Sequence, residues 1–428
     1  MKKIISIIII LIATYSVFVI ITFEPKFSSS SEQEDYKSKS AIFNNNEYPH
    51  NTQFNPIPNK KIPLPKYLES YKDKLFHSKV TRITQREFQP DKEHPYSKKG
   101  SAWNNDMSML RLGYKLYDAK TFKELPLSHN QNRTKAYKTV GSPKHGTGDI
   151  RWSTINPNIM YVLNSEKKFI SLLINKEKTE VSLKQVFIDL SVYKDVSFGK
   201  SEGNLDYKSQ YIIFAATKNN DNKVYALLYK LGDKSIIWEK EIPHALWNAK
   251  NNERFYFDWI SIDPLAEHIV TSVNHKMYLY NLKLEDEIKI EDYASHGDLG
   301  VDINGDPVYV QFVFHGEVGI YSYNLREPHK PRIRLLPKKY NGGHVSCRNH
   351  QLHGWCYLST SKKGYIEVIA LKLDNGTGTV RRFAKTHMSV KNHDETQVNV
   401  SPDGKKILFA SDWNINAPID TYHVSYPF

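Results

Sequence analysis

Two short stretches place an imidazole beside groups that can move protons or hold an acid. Glu93-His94-Pro95-Tyr96-Ser97 sets a histidine against a tyrosine. Lys144-His145-Gly146-Thr147-Gly148-Asp149-Ile150-Arg151-Trp152 sets another ahead of an arginine and a tryptophan. A neutral imidazole titrates near working pH and serves as base or acid, and a guanidinium grips a carboxylate with two parallel bonds. A third polar run, His393-Asp394-Glu395-Thr396-Gln397, lies just ahead of Ser401-Pro402-Asp403-Gly404. Asp394 and Glu395 favour the charged form of His393, which suits it to holding a ligand more than to transferring protons. No G-x-S-x-G, P-loop or H-E-x-x-H pattern is present, so serine nucleophiles and phosphate cradles have no support.

The two cysteines, Cys347 and Cys356, lie in GGHVSCRNHQLHGWCYLST, which reads as two strands joined by a short loop. Three readings stand on the residues alone. The pair forms a disulfide, it binds zinc with His344 or His353 and a histidine from elsewhere, or it is inert.

Something must hold these groups together, and the rest of the chain says what. It is rich in aromatic residues, 27 Tyr and 19 Phe in 428 residues, and long helical periodicity is scarce. That favours an all-β protein. Strand-like runs separated by turns recur roughly every 40 to 55 residues, the mark of a β-propeller. Seven such units are expected, each a four-stranded blade. Pro-Asp-Gly at 402–404 is a turn with a mechanism, flanked by strand-like Val398 to Val400 and Lys406 to Ala410. The isolated run at 78–85, SKVTRITQ, has no blade of its own and is expected to pair with the last blade, closing the ring. Asp149, His296, His344, His393 and Trp103 all fall where innermost strands begin, so they are expected to line one mouth of a central channel.

Lys2 and Lys3 precede an apolar run from Ile4 to Phe23, about the roughly 20 residues a membrane helix needs. The two lysines keep the N-terminus inside, which exports the remainder. The expected organisation is a signal anchor over 1–23, a flexible stalk over 24–76 and the propeller over 77–428. The net charge of +13 either keeps the protein soluble or attracts an acidic polymer. Export disfavours nucleic acid as the partner.

HPYSKKGSAWNNDMSML, DIRWSTINPNIMYVL, GGHVSCRN with GWCY, and HDETQVNVSPDGKKILFASDW together resemble the seven-bladed propeller polysaccharide lyases. These include the ulvan lyases and, more distantly, oligogalacturonate lyase. The resemblance runs over roughly residues 78 to 428. It implies β-elimination on a uronic-acid polymer, with a His or Tyr removing the C5 proton. A second His or Tyr would protonate the leaving oxygen, and an Arg or metal would neutralise the carboxylate. On this reading His94, His145 and Arg151 are catalytic, and Arg348, His393 and Trp152 bind an anionic polysaccharide. The ulvan-lyase likeness also implies a structural zinc, held by His296, His344, Cys347 and Cys356 with His353 in reserve. Oligogalacturonate lyases carry metal-binding histidines just before the S-P-D-G turn, where this chain has Glu395 and Gln397. The rival reading is a non-catalytic propeller that binds glycans or proteins at the cell surface.

Overall fold

The computed structural model describes residues 62–425 apart from 74–75, 86–99, 114, 126–148, 178–179, 252, 338–342, 361–365, 390–395 and 414–418. The expected signal anchor and most of the stalk therefore lie outside the described residues, as do His94, His145 and His393. Among the described residues no helix is long and apolar enough to cross a membrane.

The chain is an all-β propeller. Four sequential antiparallel strands build each of five blades, which span 150–189, 195–246, 257–291, 297–337 and 345–385. The sixth, closing blade has five strands and joins both ends of the domain. Val398–Val400, Lys406–Ser411 and Asp420–Ser425 are followed outward by Lys79–Arg82 and then Ser70–Lys72. The run at 78–85 thus closes the ring as expected, with Val80 opposite Val424 and Thr81 opposite His423. Arg82 fixes the strap by donating from Nε and Nη2 to Asp420, at 3.0 and 2.6 Å. Ser70–Lys72, assigned to the stalk from sequence, is the outer edge of this blade.

Six blades replace the expected seven. Between the closing blade and the 150–189 blade stands a two-stranded hairpin, Met109–Leu112 with Lys115–Asp118. Among the described residues, the segments beside it add single bridges, Trp103 to Leu110 and Tyr117 to Glu124. It still fills a place in the ring. Met109 and Leu116 pack against Ile150 and Met160 on one side, while Trp103 and Leu110 pack against Leu408 on the other.

Burial follows position in the blade. Innermost strands such as Ile150–Trp152 and Gly297–Val301 are buried along their length. Outermost strands such as Glu180–Asp189 expose most of their residues. Neighbouring blades share apolar layers, and each fully buried aliphatic side chain there contributes about 1.5–3 kcal/mol. The turn read from sequence is present. Gly404 has φ +71°, and a Cβ there would meet Leu352 Cδ2 and the Tyr357 hydroxyl at 2.5 Å. Its carbonyl accepts the Tyr357 hydroxyl at 2.6 Å, tying the closing blade to its neighbour.

Candidate functional site

The cleft with chemistry in it lies at the ends of the innermost strands, not at their starts. Arg151 and Trp152 sit in the strand Ile150–Trp152, and Ser153 and Thr154 follow it. Asn204, Leu205 and Tyr207 follow the strand Asp195–Phe198, while Arg348 and His350 follow Val345–Ser346. With Ser101, Trp103 and Asn105 from the hairpin unit they line a shallow, open cleft of about 30 Å³. Of the described strand-start residues named above, Trp103 lines this cleft and Asp149, His296 and His344 do not, while His393 lies outside the described residues.

The 345–385 blade is not a neighbour of the other units that supply the cleft, so its contacts with them bridge the ring. The Tyr207 hydroxyl donates to the Cys347 carbonyl at 2.8 Å. His350 Nε2 meets Asn105 Oδ1 at 2.7 Å, and Gln351 Nε2 donates to the same oxygen at 3.0 Å. The other ring nitrogen, Nδ1, faces the Arg348 carbonyl at 3.4 Å, so both nitrogens of His350 meet oxygens. The Tyr207 ring lies between His350 and His353, with centroids 5.8 and 5.7 Å away.

Both arginines are buried and oriented. Arg348 donates from Nε and Nη2 to the two oxygens of Asp298, at 3.0 and 2.6 Å, and from Nη2 to the Leu299 carbonyl. Arg151 donates from Nε to the Gly203 carbonyl and Asn204 Oδ1, and from Nη1 to the Ile150 carbonyl. Burial pulls the Arg151 guanidinium down to about 9, with Asp149 opposing and Arg111 and Arg348 adding to the fall. It remains charged at neutral pH, in a centre where three guanidinia feel one another. Burial also pulls His350 down to about 4, so it is neutral at neutral pH. Burial pushes the Tyr207 phenol up, so it keeps its proton.

Of the residues singled out in sequence, Arg151, Trp152 and Arg348 share this cleft. Trp152 spends its indole N–H on the Ala102 carbonyl at 3.2 Å, so it offers a wall rather than a donor. Tyr207, His350, Asn105 and Asn204 were not anticipated. The run Arg348-Asn349-His350 directly after a strand was the available signal.

The expected zinc site is not formed. Cys347 and Cys356 are joined in a disulfide, with Cα atoms 4.5 Å apart. Both are fully buried between the 297–337 and 345–385 blades. Their sulfurs are bonded to each other, so they cannot act as the thiolates zinc needs. His296 and His344 do meet, with ring centroids 5.0 Å apart. Among the described residues no group of three or more His, Cys, Asp or Glu side chains could hold a metal ion. The disulfide instead stands behind the cleft. A Cβ on Gly300 would meet Cys347 Cβ at 2.9 Å and Cys356 Sγ at 3.2 Å, so glycine makes room for it. Cys347 also donates its N–H at 2.8 Å to Asp298, the carboxylate that grips Arg348.

No family model matches the chain, and no curated protein does. Solved structures do. The chain is similar to an oligogalacturonate lyase in complex with manganese, at 14% identity and a TM-score of 0.56, over 85% of this chain and 97% of that one. A second oligogalacturonate lyase, from Vibrio parahaemolyticus, aligns at 13% identity and a TM-score of 0.53, over 84% and 96%. At such identities the likeness establishes the propeller fold. Nothing in these comparisons supports the ulvan-lyase part of the resemblance. The described residues do not fit a manganese site either: the histidines nearest the cleft, His350 and His353, flank Tyr207 beside the Arg348 guanidinium.

Proposed function

We propose that the chain is an exported polysaccharide lyase that cleaves a uronic-acid polymer by β-elimination in this cleft. The observation that carries the reading is the convergence of Arg151, Arg348, Tyr207 and His350 from blades on different sides of the ring. The C5 proton of a uronate is too weakly acidic to leave unless the adjacent carboxylate is neutralised. Buried guanidinia held by the backbone, Asn204 and Asp298 supply positive charge without reorganisation. In this reading Arg151 takes the uronate carboxylate, while Arg348, which engages both oxygens of Asp298, adds its charge to the cleft.

His350, neutral at neutral pH and oriented by Asn105, removes the C5 proton through its unprotonated ring nitrogen. The electron pair forms the C4–C5 double bond as the C4–O bond breaks. Tyr207, which keeps its proton at neutral pH, turns its hydroxyl from the Cys347 carbonyl to deliver that proton to the leaving oxygen. No metal enters this scheme. The net charge of +13 favours a polyanion, and the disulfide suits an oxidising compartment outside the cytoplasm. Ile4 to Phe23 would tether the chain to the membrane.

Clamping of Arg348 by Asp298 favours a second reading, a propeller that binds an acidic glycan without cleaving it. One experiment separates them. Purified protein is mixed with polygalacturonate and other uronate polymers, and the ultraviolet band of unsaturated uronates is followed. A rise that disappears in folded Arg151→Ala, His350→Ala and Tyr207→Phe variants supports the lyase. Binding without any rise favours the second reading, and neither binding nor a rise refutes both.

A further inference from the structure

The opposite face of the propeller carries a continuous row of rings. Tyr256 immediately precedes the innermost strand Phe257–Ile262, and Tyr293 lies just ahead of Gly297–Val301. His275 lies between the second and third strands of the 257–291 blade, and His315 holds the same place in the 297–337 blade. In an up-and-down blade the start of the first strand and the turn after the second share one end. The Arg151–Tyr207–Arg348 cleft occupies the other.

The ring centroids run from Tyr256 to His275 at 5.6 Å, on to Tyr293 at 6.4 Å and to His315 at 4.0 Å. Tyr293 is 45% exposed, and Phe314 beside His315 is 43% exposed. Among the described residues, neither the Tyr293 hydroxyl nor the His315 ring nitrogens make a hydrogen bond. Flat apolar faces edged by free donors and acceptors are what a pyranose ring needs, since it has apolar C–H faces and a rim of hydroxyls. Most nearby cations face acceptors: Lys289 pairs with Asp292, whose charge Lys276 also feels, Arg332 pairs with Glu291, and Lys200 donates to the Phe257 carbonyl. A nucleic-acid backbone or a run of uronates would need cations free for its charges.

We infer that this row is a second, non-catalytic binding site for uncharged sugar rings of a polysaccharide. It stands independently of the reaction proposed for the cleft. Its binding would resist salt, whereas capture of a polyanion by the arginine cleft would weaken with salt.

The test is native affinity electrophoresis of the whole chain in gels containing hydroxyethyl cellulose, galactomannan or soluble starch. Polygalacturonate and a single-stranded oligonucleotide run in parallel, each at low and high salt. Retardation by at least one neutral polymer should persist at high salt and weaken about tenfold in Tyr293→Ala and in His315→Ala. Circular dichroism confirms that the variants are folded, and Arg151→Ala should leave the neutral-polymer retardation unchanged. Retardation by none of the neutral polymers, or retardation equal in parent and ring variants, overturns the inference. So does salt-sensitive retardation by the oligonucleotide alone that is lost in the ring variants. Loss of uronate cleavage in Arg151→Ala bears only on the cleft.

Discussion

Tyr207 and Cys347 are 140 residues apart in sequence, yet the phenol of one donates to the carbonyl of the other at 2.8 Å. That bond crosses the ring and sets the distance between the two sides of the cleft. Tyr207→Phe removes the donor and the proton together. About 1 kcal/mol of stability should be lost, the usual net worth of one such bond. Uronate cleavage should fall by about 10²–10⁴, the range for loss of a positioned acid or base. Denaturant melts and the unsaturated-uronate assay measure the two effects separately. A variant as active as the parent would exclude Tyr207 from the chemistry.

Arg348 and Asp298 are both buried, and the same carboxylate also accepts the backbone N–H groups of Cys347 and Leu299. Arg348→Ala leaves that carboxylate without its cation, at a cost of about 3–5 kcal/mol. Lysine cannot reproduce the two parallel bonds, so Arg348→Lys should recover only part of the loss. Urea titration reads the difference, and a loss below about 1 kcal/mol in Arg348→Ala would show that the pair is not structural.

The disulfide gives a prediction that zinc would reverse. Cys347 and Cys356 are nine residues apart and close a short loop. Replacing both with serine should cost about 2–3 kcal/mol. Prolonged EDTA treatment should leave the melting temperature of the parent unchanged. Because Cys347 lies between Tyr207 and Asp298, the same variant should also bind polygalacturonate more weakly. A melting temperature lowered by the chelator would return the zinc reading.

What the sequence disclosed and what it hid follow from range. The Pro402-Asp403-Gly404 turn and the unattached strand ahead of Ile83 are local signals, because one depends on φ preferences and the other on a strand lacking neighbours. Blade count failed where pairing is marginal, since Trp103 and Glu124 each add one bridge and nothing in their residue types announces it. The cleft described here lies at the other end of the innermost strands from the expected mouth, since a repeat period gives the spacing of strands but not which end carries chemistry. Arg151, Trp152 and Arg348 could still be found, since they lie in or directly after strands. Tyr207 and His350 sit in connectors, and only the ring brings them together. The cysteine pair was ambiguous because disulfide and zinc share a sequence spacing and differ in whether the sulfurs meet.

Buried histidines give the last prediction, a loss of stability in mild acid. His423 packs against the ring of Phe122 at 4.6 Å, and His387 against that of Trp413 at 4.4 Å. Burial pulls His423 down to about 3 and His387 to about 4, with lysines nearby adding to each fall. Both are neutral when folded, whereas an unfolded histidine takes up its proton near pH 6.5. The unfolded chain therefore binds more protons below that pH. Stability is complete above it and falls as pH drops toward 4, by about 1.4 kcal/mol per unit for each histidine. Asp206 works the other way, because burial raises it to about 6 and the folded state takes up its proton first. Between pH 6 and 4 it offsets about one histidine. His350, also pulled down to about 4, adds a third group of the same sign, so Asp206 cancels only part of the parent's acid slope, and a variant isolates one histidine better than the parent curve. His423→Gln removes one titrating group, so the difference in unfolding free energy between parent and variant should shrink by about 1.4 kcal/mol per unit from pH 6 to 4.5. Urea melts at half-unit steps measure it, and a difference that stays constant across that window would show that His423 is not held neutral in the fold.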